Sequence, residues 1–380
     1  VSTQSTGLFS GGMDSALAIK TMLVAGVDVI ALNFVSHFFG GSSEKLNHMA
    51  KQLNVPVMFV PFHEQQLAVT TTPKAGRGKN FNACIDCHAT MINIAGQLMP
   101  KYGVDFIVTG EVLGQRPMSQ NAQALKQVAK YSGFGDFVLR PLSGQILELP
   151  PAAEKAGIKR EQLHGISGRQ TTPQEKLAKE YGLTKCPSHG GGCMLTEPTY
   201  GDKMKQLFAD QVIGAENQFL YKCMRSGRLL RVAEAQYLIV GRNEAENAFL
   251  DQFRKYGECC TAVTPRFNDQ HLVGPTILIF DFSSIKGKLI EFAPVQLKAD
   301  IEELEPGKCS VCATVPEFVQ QEVKFVASEE LRQFAKQAYS YFCKGKGKMD
   351  CVCDLNGELV EVKALSAGTE EIIRSKLIEL

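Results

Sequence analysis

Apolar runs and amphipathic stretches alternate along the first third of the chain. Short apolar runs at Gly7–Phe9, Val27–Phe34, Val57–Pro61 and Phe106–Thr109 read as strands. Apolar positions recur every three or four residues over Ser15–Ala25, Ser43–Leu53 and Ala89–Met99, the spacing of one helix face. Strand and helix in alternation predict an α/β fold, a parallel sheet with helices on both faces. Further helices are expected at Asn121–Lys130 and Thr172–Tyr181, followed by a Gly-rich turn ending at Cys193. Beyond about residue 200 the texture changes. Short strands are expected at Arg228–Arg231, Gln236–Val240, Thr276–Phe282, Lys288–Phe292, Met349–Asp354 and Leu359–Lys363. Helices are expected at Asn243–Tyr256, Ser328–Phe342 and Thr369–Leu377. The pattern divides the chain into an α/β domain over 1–205 and a smaller α+β region over 206–380, with a further division near 300.

The first strand runs into Ser10-Gly11-Gly12-Met13-Asp14-Ser15 and then directly into a helix. Strand, glycine turn and helix together turn backbone N–H groups and a helix N-terminus toward an anion. Gly11 and Gly12 permit close approach to a phosphate, and Ser10 and Ser15 add hydroxyl donors. Asp14 suits a phosphate site only through a bridging metal ion or a part in the chemistry. An ordinary Ser/Gly turn capping a helix is the competing reading, and no Gly-Lys-Ser/Thr of a Walker A loop follows.

Composition narrows the class. The chain has 380 residues, 44% of them hydrophobic and 21% charged, as in ordinary globular proteins. No apolar run is long enough to span a bilayer and no signal peptide is evident, so a cytoplasmic protein is expected. The net charge is +1. Residues 1–200 hold 18 basic and 14 acidic side chains and the rest hold 23 and 26, so any nucleic-acid contact must come from local patches. Twelve cysteines in a cytosolic chain suggest metal, cluster or persulfide chemistry rather than disulfides.

Three segments in order carry a resemblance. The Ser10–Ser15 loop resembles the pyrophosphate (PP) loop of the ATP pyrophosphatase family, which cleaves ATP to AMP and pyrophosphate. Thr109-Gly110-Glu111-Val112-Leu113-Gly114-Gln115 with its sequel to Gln120, and Leu139-Arg140-Pro141-Leu142-Ser143-Gly144, resemble segments of tRNA 4-thiouridine synthetases in the same order. The resemblance implies binding of ATP and Mg²⁺ by Ser10, Gly11, Gly12, Asp14, Ser15, Gly110 and Gln115, with Asn33 the polar candidate near the adenine. Asp14 would be a metal ligand or a catalytic carboxylate. ATP would activate a uridine carbonyl oxygen as an adenylate, and sulfur would displace AMP.

Cys84-Ile85-Asp86-Cys87 is a C-x-x-C pair, and Cys186 and Cys193 lie far along the chain. These residues alone are compatible with a structural zinc held by all four, a redox or persulfide pair, or small buried side chains. The resemblance to cluster-carrying thiolation enzymes implies a [4Fe–4S] cluster on Cys84, Cys87 and Cys193. Cys186 would then be a persulfide carrier, a fourth ligand or inert. Cys309, Cys312, Cys351 and Cys353 could form a second zinc site, although buried thiols are the commoner outcome.

Val240-Gly241-Arg242-Asn243-Glu244-Ala245-Glu246-Asn247 with Gly274-Pro275-Thr276 resembles the RNA-binding module named for NFACT proteins, although Asn243 and Glu246 also approximate a capping box. Arg77, Lys79, Arg169 and Arg242 are the candidate RNA contacts. The phosphate loop starts at residue 10, so RNA capture is expected from the second region or a partner rather than from a preceding THUMP-type domain. The expected activity is ATP-dependent tRNA thiolation, with tRNA and a sulfur donor (a cysteine desulfurase or free sulfide) as partners and a homodimer as an expected assembly. The alternatives are PP-loop ligation or sulfur insertion on a small molecule, and a non-catalytic RNA-binding protein.

Overall fold

The computed structural model describes residues 3–40, 43–186, 192–214, 218–254, 258–262, 266–267, 270–271, 274–284, 309–311, 327–343, 347, 351–356 and 358–376. The chain divides into two compact units, one of residues 1–196 and 292–318 and the other of 197–291 and 319–380.

In the first unit the strands are β1 (Gln4–Leu8), β2 (Asp28–Val35), β3 (Val57–Pro61), β4 (Phe106–Val108) and β5 (Val138–Leu139). The helices are α1 (Met13–Val24), α2 (Glu44–Leu53), α3 (His63–Thr71), α4 (Cys84–Tyr102), α5 (Ala122–Ser132), α6 (Pro151–Lys155) and α7 (Thr172–Glu180). The sheet runs β3-β2-β1-β4-β5 and is parallel throughout; the strand Cys309–Val311 adds to its β3 edge. Side chains alternate across a strand, and the cores obey that period. Val57 and Phe59 of β3 pack with α1, α2 and α7, whereas Met58 and Val60 pack with α4 and α5 on the opposite face. Local chemistry sets the helix ends. Ser43 Oγ accepts Leu46 N–H at the start of α2, and Asn121 Oδ1 does the same for Ala124 at the start of α5.

The chain builds β1 to β3 toward one edge and β4 and β5 toward the other. The C-terminal ends of β1 and β4 therefore flank the reversal of strand order, where open α/β sheets bind ligands.

The second unit holds an antiparallel sheet in the order Glu358–Val362, Cys351–Leu355, Glu258–Ala262, Ile277–Asp281, Gln236–Val240, Arg228–Ala233. Helices Glu329–Phe342 and Ala367–Lys376 cover it through Leu331, Ala335, Ala338, Tyr339 and Ile373. Asp210 anchors this unit: its carboxylate accepts Arg231 Nη2 at 2.7 Å and Nε at 2.8 Å, and Tyr237 Oη. No helix among the described residues is long and apolar enough to cross a membrane.

Several elements depart from the expected ones. Helices α3, α6, Pro198–Ala209 and Gln218–Cys223, the two-residue β5 and the strands Glu258–Ala262 and Cys309–Val311 occur where no element was expected. Helix α4 begins at Cys84, well before Ala89, which puts the C-x-x-C pair inside its first turn. The expected strand Lys288–Phe292 lies outside the described residues.

Candidate active site

A cavity of about 340 Å³ opens at the C-terminal ends of β1 and β4, within the usual size range of small-molecule sites. One side is the Ser10–Ser15 loop. Gly11 adopts φ +77°, a left-handed conformation that suits glycine, and Gly12 stands at the N-cap of α1 with no side chain capping the helix. Ser15 Oγ donates to the Gly12 carbonyl at 2.9 Å and lies 3.2 Å from Ser10 Oγ. An uncapped helix N-terminus beside close-approaching glycine backbone is suited to an anion.

The second segment closes on this loop. A Cβ on Gly110 would lie 2.6 Å from the Ser15 backbone nitrogen, so only glycine permits the approach of β4 to α1. Gln115 Nε2 donates to Asp14 Oδ2 at 3.0 Å, tying the two segments together across the cavity wall. Asp14 thus brings a carboxylate to the cavity at the loop.

Cys84, Cys87 and Cys193 line the same cavity. Cys84 is the first residue of α4, and its sulfur accepts Asn82 Nδ2–H at 3.1 Å. Cys87 is buried. Burial above all, then the neighbouring Cys193 and Cys84, push its thiol well above the ordinary value, and the Gln66 amide opposes them. Cys193 Sγ accepts Gln66 Nε2–H at 3.4 Å. Met194 N–H donates to the Phe38 carbonyl at 3.1 Å, which ties the segment after Cys193 to the loop after β2. Cys186 is elsewhere, packed against the core of α1, α2 and α7. Among the described residues no three His, Cys, Asp or Glu side chains are arranged to hold a single metal ion.

A buried charge cluster supports the floor. Glu111 is 4% exposed; it accepts Arg140 Nε at 2.9 Å and faces His88 Nδ1 at 2.8 Å. Burial alone would raise its pKa, but the Arg140 charge and the His88 contact outweigh burial and hold it at about 2. His88 Nδ1 faces this carboxylate, and the His88 ring lines the cavity.

Residues 1–148 match the model of the family described as Thiamine biosynthesis protein (ThiI). That N-terminal segment is similar to the PP-loop domain of ThiI. No curated protein matches the chain. Among solved structures, a 4-thiouridine synthetase in complex with RNA and bound ATP is 22% identical, with a TM-score of 0.31 over 47% of this chain and 50% of that one. This chain therefore spans half the length of that synthetase. A predicted subunit of tRNA methyltransferase from Methanocaldococcus jannaschii is 16% identical, with a TM-score of 0.28 over 48% and 89% of the two chains. NMN synthetase from Francisella tularensis is 11% identical, with a TM-score of 0.24 over 50% and 90%.

The ThiI-like segment contains every residue expected at the nucleotide, and most of these lie on one cavity. Ser10, Asp14, Ser15, Asn33, Gly110 and Gln115 line it. Asn33 is buried, and its Nδ2 donates to the Phe9 carbonyl at 2.7 Å, so its amide also braces the end of β1. The expected RNA contacts do not line the cavity. Arg77 holds the Thr70 and Thr71 carbonyls at 2.9 and 2.7 Å and lies over the Phe81 ring. Lys79 and Arg169 are exposed. Arg242, in the second unit, pairs with Glu246, its Nε 2.9 Å from Oε1. Of the distal cysteines, Cys353 is buried in the core of the second unit, while Cys312 and the side chains of Cys309 and Cys351 lie outside the described residues. Sequence reasoning missed Gln66, His88 and the joining of Glu111 to Arg140. Gln66 sits on the unforeseen α3. His88 follows Cys87 directly and could have been flagged by its place one helical turn after Cys84.

Proposed function

We propose that this chain is an ATP-dependent tRNA sulfurtransferase, which converts a uridine carbonyl oxygen to sulfur. One observation carries the reading: a phosphate-suited loop and three cysteines open onto the same cavity. The ThiI match over residues 1–148 supports it. In the reaction, the uridine carbonyl oxygen attacks the α-phosphorus of ATP and pyrophosphate leaves. A hydrosulfide-level sulfur then attacks the activated carbon, and AMP departs with the oxygen. The α1 N-terminus and the Ser10 and Ser15 hydroxyls would neutralise the departing pyrophosphate. Asp14 would hold Mg²⁺, oriented by Gln115. His88, backed by Glu111, would move protons beside the thiols.

Cys84, Cys87 and Cys193 line one cavity, and in a cluster each iron takes its own thiolate, so three thiols on one wall suit such a group. Cys84, Cys87 and Cys193 would hold a [4Fe–4S] cluster, with Gln66 and Asn82 donating to their sulfurs. When bound, such a cluster would present sulfur at an iron without a protein ligand. In this reading residues 1–205 form the catalytic domain. Residues 206–380 form an NFACT-type RNA-binding region through which Arg242 and its neighbours engage tRNA. Sulfide or a cysteine desulfurase supplies the sulfur.

The thiamine-biosynthesis name of the matched family favours a second reading, in which the sulfur acceptor is a small molecule of thiamine biosynthesis. The two part in one experiment. With Asp14→Asn as the inactive control, wild-type protein is supplied with ATP, sulfide and either unmodified tRNA or the small acceptor. AMP release that requires tRNA supports the first reading, and AMP release that ignores tRNA supports the second. An Asp14→Asn variant as active as wild type would remove the PP-loop from the chemistry.

A further inference from the structure

The cavity has an electrostatic imbalance. A nucleotide polyphosphate carries several negative charges, yet the Ser10–Ser15 loop contains a carboxylate and no cation. Glu111 is neutralised within the wall by Arg140 and His88. Arg116 also lines the cavity, is exposed, and makes no side-chain hydrogen bond or ion pair among the described residues.

Its backbone, in contrast, is firmly held. Gly114 N–H donates to the Gln120 carbonyl at 2.7 Å, and Gln120 N–H donates to the Arg116 carbonyl at 2.8 Å, so the turn closes on itself. The neighbouring Gln115 side chain anchors the turn to Asp14 of the phosphate loop. A second observation marks this wall as one that receives a ligand. Gln120 is 6% exposed and lines the cavity, and its Oε1 is buried without a hydrogen-bond partner. An orphaned acceptor of this kind costs free energy unless a bound molecule supplies a donor, which in ATP is a ribose hydroxyl or the adenine amino group, since phosphate oxygens only accept.

We infer that Arg116 is a polyphosphate-binding residue of this cavity and supplies the cation that the loop itself lacks. The inference rests on the reading that the cavity takes ATP. A guanidinium on a fixed turn suits bidentate contact with phosphate oxygens, and its worth grows as the pyrophosphate leaves and gains charge. Arg116 therefore acts on the phosphate end of the ligand and not on the nucleoside end.

Calorimetric titration without RNA tests this, with MgATP, AMP and magnesium pyrophosphate as separate probes on wild type, Arg116→Gln and Arg116→Lys. Arg116→Gln is expected to weaken ATP and pyrophosphate by roughly 10- to 100-fold and to leave AMP within about twofold. Arg116→Lys should recover part of the loss, because it restores charge but not the fork. Equal loss for AMP and ATP, or unchanged affinity for both polyphosphates, overturns the inference. A normal ATP affinity combined with weakened tRNA binding overturns it too and makes Arg116 an RNA contact. Pyrophosphate separates the two claims. If wild type binds pyrophosphate through Arg116 but does not bind ATP, the inference stands and the ATP reading fails.

Discussion

Replacing Glu111 by Gln probes the buried cluster that supports the site. The carboxyl is held at about 2 against an ordinary value of 4.5, with Arg140 10% exposed and Glu111 4% exposed. A depression of that size corresponds to about 3 kcal/mol of folding stability at neutral pH. Because the folded-state pKa lies below the unfolded one, this stability is fully present above about pH 4.5. It is lost as pH falls toward 2. The substitution also leaves the Arg140 guanidinium without its carboxylate, so the total cost at pH 7 should be about 3–5 kcal/mol. Urea denaturation followed by far-ultraviolet circular dichroism, repeated at pH 7, 4 and 3, measures it. Wild type should be the more stable at pH 7, and the gap should narrow steadily below pH 4.5. Equal stability at pH 7, or a gap that is the same at pH 7 and pH 3, would refute the reasoning.

Two other outcomes follow from the geometry. Gly110→Ala places a Cβ within 2.6 Å of the Ser15 nitrogen, so β4 and the loop must separate. ATP affinity should fall at least about tenfold with the circular dichroism spectrum retained, and unchanged affinity would show that the contact is not needed. In metal-free protein treated with iodoacetamide at pH 7.5, Cys84 should alkylate before Cys87. Cys87 is buried and its thiol is pushed up, whereas Cys84 is partly exposed at a helix N-terminus. Mass spectrometry of the peptides reads the order, and earlier labelling of Cys87 would contradict the placement of the two thiols.

The alternation of apolar and amphipathic stretches made the parallel sheet legible, because strands buried on both faces read as continuous apolar runs. The strand–turn–helix junction at Ser10–Ser15 was legible too, because a Gly- and Ser-rich stretch between an apolar run and an amphipathic one marks a tight turn. Helix α3 was not legible. His63-Glu64-Gln65-Gln66-Leu67-Ala68-Val69-Thr70-Thr71 has little apolar period and ends in β-branched residues. The early start of α4 escaped because Ala83 makes no side-chain cap and a C-x-x-C pair reads as a loop. Glu111, His88 and Arg140 converge from the turn after β4, from α4 and from the residue after β5, and no local pattern announces such a meeting. The addition of Cys309–Val311 to the first sheet depends on a return of the chain that spacing does not encode.

The central claim is that the loop and the thiols act on one substrate. Its most direct test is nucleoside mass spectrometry of unmodified tRNA incubated anaerobically with iron–sulfur-reconstituted protein, MgATP and sulfide, with AMP and pyrophosphate measured in the same reaction. The account predicts one oxygen-to-sulfur exchange in a uridine for each AMP formed, absent in Asp14→Asn and in the Cys84/Cys87/Cys193 triple Ala variant. AMP formation in wild type without any sulfur in the tRNA, or thiolation that survives loss of all three cysteines, would contradict it.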